Sequence, residues 1–140
     1  MATVRLSFSP SPAHVRTARL VGIAVARRAG VADATLDEVR LAIGEACSRA
    51  VALHRRHALS ALIEVEIHDE DHFTVRVTDR APLDDPPAGQ ADLETFSEED
   101  AAVGMGLTLL EGLVDDLSVR PAAIGTGTEV EMSWPTGPHQ

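Results

Sequence analysis

Apolar residues at Leu36, Val39, Ala42, Ile43, Ala46 and Ala50 constrain this chain more than any other feature. Their three- and four-residue spacing describes a helix with one buried face. Thr35, with Glu38 three residues later, has the pattern of a capping box and predicts a start at Leu36. The helix then runs to about Leu53 and closes on His54-Arg-Arg-His57, where basic side chains suit its negative carboxyl end. Glu45 and Arg49 fall one turn apart among small, apolar neighbours. They read either as an ion pair along the helix or as two groups lining a site. Cys47, the single cysteine, sits beside the apolar positions and reads as a buried structural thiol; no disulfide within the chain can form.

At 140 residues the chain has the length of one domain with a real core, expected over 1–136, with 137–140 as a tail. No apolar run approaches the roughly 20 residues of a membrane span, and the amino terminus lacks the basic-then-apolar pattern of a signal peptide. The expected location is therefore cytoplasmic, with no membrane partner. The net charge of −10 hides an asymmetry: residues 1–57 carry nine Arg against four acids, and residues 58–140 three Arg against 18 acids. Overall acidity argues against nucleic acid as a direct partner, since phosphate binding needs a basic face. The basic first half reads either as a patch for an acidic protein surface or as a solvated helix face.

Val4, Leu6 and Phe8 alternate with polar residues and predict a strand over Thr3–Phe8. Ser9-Pro-Ser-Pro12 ends it. A first helix follows over Ala13–Ala29, with Gly30 as its left-handed stop. Beyond the central helix, Ala61–His68 and His72–Thr78 alternate as the arms of a hairpin that ends at Asp79. The segment 80–103, rich in proline and acid, has the character of a functional lid or a loop. Gly104-Met-Gly-Leu107 opens a third helix, Leu117–Val119 and Thr128–Met132 form closing strands, and the chain from Trp134 onward reads as tail. This order predicts an α+β fold: a two-layer sandwich whose mostly antiparallel sheet is covered on one face by about three helices.

Three pieces carry chemistry. The Glu45 helix is one, Asp79 at a strand end is another, and the Gly104-x-Gly106 entry into a helix is the third. A helix amino terminus with bare N–H groups suits phosphate. A carboxylate at a strand end can accept from the exocyclic amino group of adenine, although such an aspartate also commonly caps a turn.

In order and spacing these motifs resemble the anti-sigma-factor, serine-protein kinase branch of the histidine-kinase-like (GHKL) ATPase superfamily. The resemblance runs from Phe8-Ser9 to Thr128 and is most specific in Leu41-Ala-Ile-Gly-Glu-Ala-Cys-Ser-Arg-Ala50, Val77-Thr-Asp79, and the run from Gly104 to Ser118. It implies the Bergerat-type ATPase fold, with ATP lying under the lid. It implies Glu45 as the base that activates a partner's serine, and Asp79, Gly104, Gly106, Leu107 and Thr128 as nucleotide-binding residues. It further implies a sigma factor and an anti-anti-sigma (STAS) factor as partners, contacts at Arg16 and Arg19, and a homodimer.

Two departures matter. The family places a Mg²⁺-holding asparagine where this chain has Arg49, and a guanidinium has no lone pair to offer a cation and repels it. The family places a glycine two residues after the aspartate, where this chain has Ala81 followed by the stiff Pro82. Arg49 either sets its own charge beside the phosphates, without metal, or pairs with Glu45 and occupies the base. Since the metal neutralises developing charge in phosphoryl transfer, the leading expectation is an anti-sigma-like binding protein with impaired or lost kinase activity. The alternative is an active ATP-dependent serine kinase that phosphorylates an anti-anti-sigma factor. A third reading leaves the glycines structural and Asp79 as a turn cap.

Overall fold

The computed structural model describes residues 2–82 and 107–136. In chain order these form β1 (Ala2–Phe8), α1 (Pro12–Arg28), α2 (Asp33–Arg56), β2 (Ile63–Asp69) and β3 (His72–Thr78). A helix over 107–113 (α3), β4 (Asp116–Pro121) and β5 (Thr128–Pro135) complete them. The five strands make one antiparallel sheet in the order β1-β2-β3-β5-β4, so the expected α+β sandwich is what forms.

Strand alternation decides the two faces. Ile63, Val65, Ile67, Phe73, Val75, Val77, Val130, Met132 and Trp134 point toward the helices and are buried with the inner faces of α1 and α2. The two helices approach closely where Gly22 meets Ile43; a methyl group on residue 22 would overlap the Ile43 side chain. On the open face, Arg5, Glu66, Arg76 and Glu131 stand side by side in register across four strands. Arg5 meets Glu66 at 3.3 Å, and Arg76 meets Glu66 at 3.3 Å and Glu131 at 2.7 Å. Cross-strand pairs of opposite sign like these contribute roughly 0.2–1 kcal/mol each.

Several expected boundaries move. The central helix begins at Asp33 rather than Leu36 and runs to Arg56 rather than Leu53, so Thr35 lies inside it and the capping box does not form. Its N-cap is Ala32, without a side-chain cap. Val31 and Leu36, both buried in the core cluster, occupy the positions of a hydrophobic staple. Trp134 is not tail. It is a core residue of β5, tilted against Phe73, and its indole N–H donates to Glu38 on α2 at 3.1 Å. The lid beyond Pro82 and the tail 137–140 lie outside the described residues.

His54 also departs from expectation. Rather than offering charge to the helix end, it is fully buried. Its Nδ1 lies 3.0 Å from the Ala61 carbonyl, and its Nε2 lies 2.8 Å from the Arg80 N–H. A carbonyl only accepts and an amide only donates, so the ring is neutral with its proton on Nδ1. It ties the end of α2 to the lead into β2 and to the exit of β3. Burial holds its pKa below the usual value, outweighing the Ala61 bond and the nearby Asp79 charge.

The unfolded chain therefore takes up a proton near the ordinary histidine pKa of about 6.5 that the folded chain resists, and stability falls as pH drops below that point. The urea midpoint is expected to decrease between about pH 7.5 and about pH 5.5. His54→Leu, which leaves an N–H and a C=O unpaired, should cost about 2 kcal/mol at the higher pH and show a shallower pH dependence. Equal slopes for the two proteins would refute the buried neutral assignment.

Candidate functional site

The site is built where β3 ends beneath α2. Asp79 is 1% exposed although it is an ionisable residue just past a strand. Its Oδ2 accepts from Arg49 Nη1 at 3.3 Å, and its Oδ1 accepts from the Ala81 N–H at 3.0 Å. Its own N–H donates to the Thr128 carbonyl at 3.0 Å. Gly127, at φ +131, presses on the Asp79 carbonyl so closely that any side chain there would overlap backbone.

Arg80 fastens the same segment from the other side. Its N–H reaches His54, and its guanidinium donates to the Ile124 carbonyl at 2.5 Å, the Thr126 carbonyl at 3.4 Å and Glu64 at 3.2 Å. Helix α2, the β4–β5 connection and strand β2 thus all converge on residues 79–81. The sequence reading missed His54, Arg80 and Gly127 as members of this site. Pairings so distant in sequence leave no periodic signal.

Arg49 resolves the open question about the central helix. It pairs neither along the helix with Glu45 nor with a neighbour on its own turn; it crosses to Asp79. The pair is nearly dry, with 11% and 2% of the two side chains exposed. Arg49 Nε is buried with no hydrogen-bond partner among the described residues. Such a pair contributes little net stability against desolvation, but removing one member strands the other charge. Both carboxylate oxygens of Asp79 are engaged, Oδ2 by Arg49 and Oδ1 by the Ala81 N–H. A guanidinium in this position supplies no ligand for Mg²⁺.

Glu45 is half-buried on α2 and makes no hydrogen bond or ion pair among the described residues. Arg19 crosses from α1 and lays its side chain over Gly44, with Cδ 3.1 Å from where a Cβ would stand. It is therefore partly a packing residue, whereas Arg16 is exposed. Burial pushes the Cys47 thiol up to about 12, against the opposing influence of Arg19. That thiol is unreactive at neutral pH. Thr128 opens β5 and contributes its carbonyl to the Asp79 segment. Leu107 begins the described part of α3, packed against the core. Gly104 and Gly106 lie outside the described residues. The structure thus brings Asp79, Arg49 and Thr128 together, places Glu45 one turn before Arg49, and puts Arg16 and Arg19 on the other helix.

No helix of the described residues is long and apolar enough to cross a membrane. The chain is 29% identical over 122 residues to the serine-protein kinase RsbW of Listeria innocua, covering 83% of this chain and 78% of that protein. It is 26% identical over 127 residues to the protein of the same name from Oceanobacillus iheyensis, covering 84% and 78%. With that of Bacillus licheniformis it shares 27% over 138 residues, covering 93% and 83%. The histidine kinase-like ATPase domain matches residues 8–134, from the last residue of β1 to the core tryptophan of β5. That span takes in α1, α2 and α3, the hairpin and the Asp79 junction, and the chain belongs to the histidine kinase-like ATPase domain family.

Proposed function

We propose that this chain is an anti-sigma-type regulator that binds a sigma factor, an anti-anti-sigma (STAS) factor, or both, and that it has lost kinase activity. The reading of partners comes from relatives named serine-protein kinase RsbW. The loss of activity rests on one observation: Asp79, the residue that would read adenine, is held by Arg49 and the Ala81 N–H in a buried pair. ATP would have to break that pair on entering, and Mg²⁺ would meet a guanidinium in place of a ligand. One observation favours the alternative, an active serine kinase: Glu45, the candidate base, is not consumed by Arg49. Under either reading the chain acts through protein partners, and Arg16 is the cleaner probe of that contact because Arg19 also packs on Gly44.

The deciding experiment incubates the protein with Mg²⁺-ATP and its anti-anti-sigma partner. Binding without serine phosphorylation is expected; stoichiometric phosphorylation abolished by Glu45→Ala would overturn the loss of activity. Native mass spectrometry should find the purified protein free of nucleotide. Arg49→Asn should lower stability by about 3 kcal/mol by leaving Asp79 without its counter-charge, and should raise affinity for Mg²⁺-ATP in calorimetry. An unchanged melting temperature together with unchanged affinity would show that Arg49 is not what closes the pocket. Arg16→Glu should weaken partner binding about tenfold, and equal affinities for every partner would remove α1 from the interface.

A further inference from the structure

Helix α2 ends in a Schellman motif: the Leu59 N–H donates to the His54 carbonyl at 2.7 Å, and the Ala58 N–H to the Arg55 carbonyl at 3.2 Å. This motif needs a left-handed residue at position 58, and Ala58 has φ +53. Glycine ordinarily takes that place, because a Cβ crowds the following carbonyl there. The turn is therefore strained, and its surroundings must hold it. His54 does so twice. Its carbonyl receives Leu59, while its buried ring joins the Ala61 carbonyl on one side to the Arg80 N–H on the other. The far side of this grip is anchored independently. Arg80 is fastened through its guanidinium to Ile124, Thr126 and Glu64, and the Asp79 N–H donates to Thr128.

A second proton on the ring undoes the grip. Nε2 then carries an N–H that faces the Arg80 N–H, two donors with no acceptor between them. The charged and titratable groups facing the ring are Asp79 and Arg80 at the β3 exit and His57 on its own helix; from the lead into β2 it meets the Ala61 carbonyl. Of the three, Asp79 alone favours a positive ring, and its carboxylate is already engaged by Arg49 and the Ala81 N–H. We infer that the strained turn 57–62 is an acid-released latch: protonation of His54 frees the end of α2 from the β3 exit while the sheet stays folded. The released ring reaches water, and Ala58 leaves its left-handed conformation. Arg80 follows Asp79 directly and His54 stands five residues after Arg49, so acid loosens one wall of the candidate site. The latch does not rest on the proposed partners, and either can fail alone.

The test is amide hydrogen exchange of the full chain by NMR from about pH 8 to about pH 5, corrected for the intrinsic exchange rate at each pH. Opening is read at the Leu59 and Arg80 amides, with the Val75 and Val77 amides of the central strand reporting global unfolding. In the open state His54 titrates near about 6.5, whereas the closed ring resists the proton. Opening should therefore rise about tenfold per pH unit below that point, until the closed ring itself takes the proton. His54→Gln, which keeps a donor and an acceptor but does not titrate, is expected to show no such rise. Ala58→Gly, which removes the strain, should lower opening about fivefold at every pH and leave the slope unchanged. Flat opening in the unsubstituted chain, the same slope in His54→Gln, or a rise shared equally by Val75 and Val77 would each overturn the latch. So would an Ala58→Gly chain that opens as readily as the unsubstituted one.

Discussion

The contact between Arg49 and Asp79 joins the two layers of this molecule through a buried charged pair. α2 lies on the sheet through apolar contact almost everywhere else. Apolar packing is non-directional and would tolerate a small slide of helix over strand. A charged pair at 3.3 Å, nearly excluded from water, would not. The Asp79 carboxylate is in turn held by the Ala81 N–H, its backbone by Thr128, and the next residue by His54. Movement of the β3 exit therefore means movement of α2 or of the β4–β5 connection.

The two faces of the sheet solve different problems. Facing the helices, burial of branched and aromatic side chains stabilises the fold. On the open face, Arg5, Glu66, Arg76 and Glu131 alternate in sign across the strands, so that neighbours attract wherever the register brings them together. Arg120 joins the same network through Glu129 at 3.1 Å and through Glu131. The first helix is treated otherwise: among the described residues its arginines enter no ion pair. A net charge of −10 therefore describes no single surface of this protein. The acidic excess belongs to the second part of the chain, and the basic helix is the part with charge to offer.

Much of the fold was legible in the sequence because it is periodic. Alternation at Val4, Leu6 and Phe8 and at Phe73, Val75 and Val77 names both strands and their buried sides, and the spacing from Leu36 to Ala50 names the central helix. Boundaries were less legible. The capping pattern at Thr35 predicts a start at Leu36, yet the helix begins at Asp33, with Val31 and Leu36 on either side of that start buried in the core. Trp134 reads as tail in the sequence, yet its indole, tilted against Phe73, belongs to the core. At the site, Asp79 and Arg49 were both visible as unusual residues, but not as partners. Thirty residues separate them, and only the packing of α2 over β3 closes that distance.

That pairing changes what the presence of Asp79 means. A buried carboxylate without a partner is costly enough that it would be expected to lose its charge or its place in the core. In a nucleotide site the ligand's amino group, together with solvent, can satisfy it. Here Arg49 provides a full counter-charge from within the chain, and the Ala81 N–H provides a second donor. An aspartate at this position is therefore compatible with a pocket that holds nothing. The residue that offers no ligand to a metal is thus also the counter-charge that Asp79 has within the chain. Ala81, buried in the same turn, donates its N–H to this carboxylate while its methyl group is covered.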